Sequence, residues 1–100
     1  MTMSNMLLDR LIKDLGTKGL PYIESVDGEI QGFGKELALF VKLSKYPRER
    51  ELKELHNGIL GTVNQFLKEV NENLDSWTCG IMFGDRHVEV VVQGDHFLSL

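Results

Sequence analysis

The sequence predicts an α+β protein with elements in the order αβββαββ: a five-stranded antiparallel sheet with two helices packed on one face. Apolar residues recur at helical spacing over 7–15 and again over 52–74. The stretches between and after them alternate apolar and polar residues, as strands do, and glycine dipeptides provide turn signals. Because 100 residues suffice for one hydrophobic core, we expect a single domain over residues 1–100.

Composition limits the class of protein. The net charge is −4 and the isoelectric point about 5.3, so the average field repels nucleic acid. The single cysteine cannot form a disulfide within the chain, which fits a reducing compartment. The first sixteen residues lack the basic and uninterrupted apolar regions of a signal peptide. We expect a cytoplasmic protein that does not enter membranes.

The first helix is predicted over a leucine-rich stretch near the N-terminus. Ser4 or Asn5 can cap its start, because a short side-chain oxygen accepts a hydrogen bond from an unpaired amide of the first turn. Gly16 suits a left-handed cap at its end. The apolar residues of this helix are Leu7, Leu8, Leu11, Ile12 and Leu15.

A three-stranded meander is predicted over residues 20–44. With Asp27-Gly28 and Gly34-Lys35 as two-residue loops, the turn chemistry and the side-chain alternation agree. The predicted core face carries Ile23, Ile30, Leu37, Leu39, Val41 and Leu43. The opposite face is mixed and carries Tyr22, Glu24, Val26, Glu29, Gln31, Phe33, Glu36, Ala38, Phe40 and Lys42.

One long helix is predicted after Pro47, which suits a first helical position because the missing amide hydrogen needs no partner there. Its apolar stripe stays in phase through Asn57-Gly58 and reaches Leu74, so we expect no break. Such a helix spans roughly 40 Å, against about 23 Å for a seven-residue strand. We therefore expect a bend, or an end that projects beyond the sheet and favours oligomerisation.

The stretch WTCGIMFGDRHVEVVVQGDH, residues 77–96, raises the question of a metal or catalytic site, but a tight turn at Gly84-Asp85 makes it a β-hairpin. The predicted core face of the hairpin carries Trp77, Cys79, Ile81, Phe83, Val88, Val90 and Val92. The opposite face carries Thr78, Gly80, Met82, His87, Glu89, Val91 and Gln93.

No catalytic, cofactor-binding or metal-binding residue is predicted. Cys79 and His87 lie on opposite faces of the predicted hairpin, and zinc needs three or four ligands. Asp95 and His96 follow the last strand and are interpreted as a loop pair. His56 is interpreted as a histidine at the boundary between core and solvent. We therefore expect a protein without cofactor that is not an enzyme.

The sheet face opposite the helices is the main candidate for function. Apolar and aromatic side chains remain there among charges, a composition typical of interfaces. Val26 and Val91 are expected on the same face. The residues that we predict to form an interface are Tyr22, Phe33, Phe40, Met82 and His87.

The stretch LLDRLIKDLG, residues 7–16, looks like the first helix of small type III secretion chaperones, and the predicted order of elements resembles the core of that family. Those chaperones are acidic and dimeric. The resemblance implies a protein that holds an extended segment of another protein along apolar grooves. It carries no site residue over to this sequence.

The leading hypothesis is a small acidic protein that binds another protein, itself forming a homodimer. An inhibitor, adaptor or regulator, including one from a phage or mobile element, fits this description. The chaperone function is the second hypothesis. The third is a small-molecule or nucleotide-binding domain or enzyme that uses Arg86, His87 and Glu89 near the hairpin tip. Nucleic-acid binding ranks last because of the acidic charge.

Overall fold

The computed structural model describes residues 4–70, 74 and 76–92. The strands in this part of the chain form one four-stranded sheet in the order β1-β2-β3-β4. The α+β class is confirmed, whereas the five strands and the αβββαββ order are wrong. The elements are α1 (Asn5–Thr17), β1 (Ile23–Gln31), β2 (Glu36–Leu43), α2 (Glu49–Glu69), β3 (Ser76–Phe83) and β4 (Arg86–Val92).

The first two predicted strands are one continuous strand, β1, because Asp27-Gly28 does not form a turn. Gly28 pairs with Leu39 on β2, under helix α1. A Cβ atom on Gly28 would lie 2.8 Å from Leu8 Cδ1 and 3.0 Å from Leu39 Cδ2. A side chain here would force these two leucine side chains to shift, so the glycine favours the close approach of α1 to the sheet.

The β1–β2 hairpin closes through the four residues 32–35, since Gln31 pairs with Glu36. The predicted two-residue turn at Gly34-Lys35 is therefore wrong. The register shifts between Ile23 and Ser25, so Val26 pairs with Val41 and packs against the core. Its predicted position on the opposite face is also wrong.

Strands β2 and β3 are parallel, whereas the other two strand pairs are antiparallel as predicted. Helix α2 connects them and returns the chain to the end of the sheet where β2 begins. With 21 residues it spans roughly 30 Å, close to the roughly 26 Å of an eight-residue strand. It runs unbroken through Asn57-Gly58, as predicted, but begins at Glu49 and does not include Leu74. Within the described residues, its length therefore gives no indication of a projecting end.

The β3–β4 hairpin has the predicted tight turn at Gly84-Asp85 but contains a β-bulge just beyond it. Ile81 pairs with Glu89, and Met82 pairs with His87, which leaves Val88 as an extra residue. One extra residue reverses the alternation that follows it. The predicted faces are therefore wrong beyond the bulge.

Residues beyond the bulge have exchanged faces. Val91 pairs with Cys79 and is fully buried, whereas Val90 is 50% exposed. Val92 pairs with the exposed Thr78, on the same face as Val90. Gln93, Asp95 and His96, which were assigned to the hairpin and its loop, lie outside the described residues.

One hydrophobic core joins both helices to a single face of the sheet. Ser4 caps α1 as predicted, with its Oγ accepting a hydrogen bond from the Leu7 amide at 3.2 Å. In the described ranges no helix has the length and apolar character to cross a membrane. The buried core consists of Leu8, Leu11, Leu15, Leu37, Leu39, Val41, Leu43, Leu55, Ile59, Val63, Phe66, Leu74, Trp77, Cys79, Ile81 and Val91.

Candidate functional site

The face of the sheet opposite the helices, here called the open face, carries a central group of apolar side chains. The strand registers place Phe40 beside Gly80, and Gly80 beside Val90, in one row across three strands. Phe40 is 42% exposed and Val90 is 50% exposed. We call the whole group the open-face strip, and its residues are Ala38, Phe40, Met82, Val90 and Val92.

Gly80 leaves a depression in the middle of the open-face strip. A Cβ atom at this position would lie 3.9 Å from Cδ1 of Phe40, so the aromatic ring reaches towards the glycine. Val90 borders the depression on the other side. A ridge of side chains from another molecule would find apolar contacts on both sides of it.

Acidic and basic side chains border different parts of the open-face strip. On the β1 side, Asp27 pairs with Phe40, Glu29 with Ala38, and Glu36 stands at the end of β2. Lys42 and His87 flank Met82 near the opposite end of the face. Within the described residues, none of these five side chains takes part in an ion pair. The acidic border is therefore available to a positively charged group from outside.

A small cleft lies where the acidic border meets the strip. Its volume is about 190 Å³, and its walls combine a carboxylate, a hydroxyl, an ammonium group, an aromatic ring and a thioether. The lining residues are Ser25, Asp27, Phe40, Val41, Lys42, Met82 and Gly84.

Three of the five predicted interface residues lie on the open face. Phe40 belongs to the central row, and Met82 and His87 pair with each other beside it. Their role in binding stays a prediction. Tyr22 and Phe33 lie elsewhere, and the expected placement of both on this face is wrong.

Tyr22 connects the chain before β1 to helix α2. Its hydroxyl donates a hydrogen bond to Oε2 of Glu51, and its carbonyl oxygen accepts one from the Ser44 amide at 2.9 Å. The ammonium group of Lys45 lies 5.3 Å from the centre of its ring. Tyr22 has a φ of +61°, which is rare for a bulky residue. These contacts assign it a structural role.

The Tyr22–Glu51 hydrogen bond changes the acidity of both groups. It raises the pKa of the tyrosine hydroxyl, and partial burial adds to this effect. The same hydrogen bond, followed by one from the Arg48 amide, lowers the pKa of the Glu51 carboxyl. Stability from the ionised carboxylate is present above the ordinary glutamate pKa of about 4.3 and is lost as the pH falls through the lower folded-state pKa. Stability from the neutral tyrosine is lost only as the pH rises beyond about 10.

Replacement of Tyr22 by phenylalanine is therefore expected to destabilise the protein more at pH 7 than at pH 3, because the stability contributed by the ionised Glu51 carboxylate is lost as the pH falls through its folded-state pKa. Urea unfolding of the two proteins at both pH values measures the difference. Tyr46→Phe is the matched control, because Tyr46 packs edge-on against Phe83 and its hydroxyl has no hydrogen bond within the described ranges. Equal losses for Tyr22→Phe at the two pH values would contradict this assignment.

Phe33 lies at the tip of the β1–β2 hairpin. It is 99% exposed, and its φ of +57° lies in the left-handed region, between two glycines that also have positive φ. Its side chain contributes nothing to the core. The structure thus presents an isolated aromatic ring at one end of the sheet, away from the centre of the open-face strip.

The residues of the third hypothesis do not form one site. Glu89 turns to the helix side of the sheet, where its Oε2 lies 2.8 Å from Nδ1 of His56. His87 lies on the open face, because the bulge at Val88 separates the two. A second cleft, of about 270 Å³, surrounds the His56–Glu89 pair between α2 and β4. The His56–Glu89 pair was missed because the bulge is not visible in the sequence.

The structure also shows where the remaining candidate catalytic and metal-binding side chains lie. Cys79 is fully buried, and burial raises the pKa of its thiol to about 12. Among the described residues, no group of three or more histidine, cysteine, aspartate or glutamate side chains is arranged to hold a metal ion.

No protein-family profile, curated protein or solved structure matches this chain. The function therefore has to be inferred from the surface of the molecule itself.

Proposed function

We propose that this protein is not an enzyme and acts by binding another protein through the open face of its sheet. The observation that supports this most is the open-face strip. A sheet face left to water should be polar, yet the row centred on Gly80 exposes Phe40 and Val90. Aromatic residues and methionine are enriched in protein interfaces, whereas aspartate and glutamate are depleted there and the rim of an interface is polar.

The size of the face suits a segment of a partner protein. Four strands about 4.8 Å apart, with eight residues at about 3.3 Å each, give a footprint of roughly 19 by 26 Å. This projected area of roughly 500 Å² is enough to seat one helix of a partner, about 10 Å wide. Within the described residues, the length of α2 gives no indication of the projecting helix end that suggested a homodimer, so self-association has no separate support.

A pair of charge substitutions tests this proposal. We expect Phe40→Glu combined with Val90→Glu to weaken partner binding at least about 30-fold, since losing a single hot-spot residue at the centre of an interface costs roughly 2 kcal/mol or more. Both side chains are exposed, so the variant should fold. The affinity of both proteins for a partner purified from native lysate measures the effect.

The control is Lys53→Glu combined with Glu54→Lys on α2, at two exposed positions on the helix side. It should bind like the unmodified protein. If the helix control lost binding while the sheet variant kept it, the binding surface would be on the helices and the proposal would be wrong.

A further inference from the structure

We infer that the occupant of the open face is a basic amphipathic segment of a partner, with one arginine or lysine seated against Asp27 and Phe40. This inference rests on the proposed function and specifies the chemistry of the partner. It follows from the charges at the border of the strip, the composition of the cleft beside it, and the dimensions of the face.

Charge complementarity favours a cationic occupant. The open face carries three carboxylates, from Asp27, Glu29 and Glu36, and one ammonium group, from Lys42, so the formal balance of these four groups is 3 − 1 = 2 negative charges. None of the four has an ion-pair partner within the described ranges. The net charge of −4 for the whole chain adds to the attraction for a cationic segment.

The 190 Å³ cleft provides the place where a single cation would bind. Asp27 and Phe40 pair across β1 and β2, so a carboxylate and an aromatic ring stand side by side at its wall. A guanidinium group binds a carboxylate through two hydrogen bonds and also stacks on an aromatic ring. Lys42 also lines the cleft and pairs with Ser25, next to the Asp27–Phe40 pair, so the bound cation would lie on the side of Asp27 away from Lys42.

The strip provides contacts for the apolar side of the segment. Met82, Val90 and Val92 continue from Phe40 across β3 and β4, and Gly80 leaves room for a ridge between them. A helix about 10 Å wide and roughly 26 Å long, about 17 residues, covers the length of the face and about half of its width of roughly 19 Å. A second copy of this chain is a poorer occupant, because it would bring another acidic border to the first.

Matched peptides test the inference. Three fluorescent 17-residue amphipathic peptides share leucines at helical spacing and differ only in their polar positions, which are arginine, glutamine or glutamate. We expect the arginine peptide to bind at least about 10-fold more tightly than the glutamine peptide, and the glutamate peptide more weakly still. Fluorescence anisotropy at two salt concentrations measures the affinities, and the preference should fall as salt screens the charges.

Substitutions in the cleft locate the cation. Asp27→Asn should weaken binding of the arginine peptide about 10-fold, as expected for loss of a hydrogen bond between charged groups, and barely affect the glutamine peptide. Glu54→Gln, an exposed acid on α2, removes the same charge from the opposite side and should change neither affinity. Thermal unfolding verifies that both variants fold.

Several results would overturn the inference. They are equal affinity for the arginine and glutamine peptides, an equal loss in Glu54→Gln and Asp27→Asn, or no binding of the arginine peptide at millimolar concentration. Sedimentation showing a dimer that Phe40→Glu dissociates would make a second copy the occupant. In each of these cases, if the double variant Phe40→Glu, Val90→Glu still loses its partner, the proposed function stands and only the further inference is wrong. If the double variant binds its partner normally, both the proposed function and the further inference are wrong.

Discussion

Alanine at Gly28 is expected to destabilise the protein by about 1–3 kcal/mol, the usual cost of adding volume to a packed core. The new methyl group would lie 2.8 Å from Leu8 and 3.0 Å from Leu39, both of which are buried. For a domain of this size the loss corresponds to a fall of several degrees in melting temperature. Urea and thermal unfolding measure it.

Gly61→Ala is the matched control for this substitution. Gly61 is exposed on helix α2, and a Cβ atom there would have no neighbour within 4 Å. Alanine should stabilise a helix interior by roughly 0.5–1 kcal/mol relative to glycine. If alanine at both positions had the same effect, the close approach of α1 to β1 at Gly28 would be wrong.

Folded protein is expected to resist alkylation at Cys79 by a factor of about 1,000 or more. With a pKa of about 12, roughly one thiol in ten thousand is ionised at pH 8, against about a quarter for an ordinary thiol. Burial also excludes the reagent, since the side chain is fully covered. The chain has no other cysteine, so a single adduct reports the reaction.

Mass spectrometry after iodoacetamide treatment at pH 8, with and without urea, measures the two rates. The unfolded chain is its own control, because it has the same thiol in a solvated state. Rapid modification of folded protein would mean that Cys79 is accessible and reactive, and would reopen a catalytic role that the buried position argues against.

Local patterns in the sequence predicted those parts of the fold that depend on interactions between residues close together in the chain. The alternation along residues 37–43 identified the core face of β2, because each second side chain must be buried against the helices. The unbroken stripe of α2 and the tight turn at Gly84-Asp85 were also correct. In each case the pattern and the final contact involve the same few residues.

The errors came from contacts between elements distant in the chain. Gly28 was interpreted as a turn residue, although its role is to admit Leu8 from α1. The parallel pairing of β2 with β3 follows from the length of α2, which is close to that of one strand. The apolar stripe in the sequence continues to Leu74 and indicated a longer helix. Neither can be read from a window of ten residues.

The candidate site was predicted only in part, and the same distinction between local patterns and contacts between distant elements explains why. Phe40, Met82 and His87 were assigned to the correct face because they precede the bulge or belong to β2. Val90 was missed because the extra residue at Val88 reverses the alternation after it. Asp27 was missed because its dipeptide with Gly28 looked like a turn.

Site-specific photo-crosslinking tests the central claim most directly. A benzoylphenylalanine at position 40 stands in the middle of the open face, and the same residue at position 53 stands on the exposed side of α2. We predict that irradiation in native lysate yields a specific protein adduct from position 40 and none from position 53. An adduct from position 53 alone would contradict the claim and place the interaction on the helices.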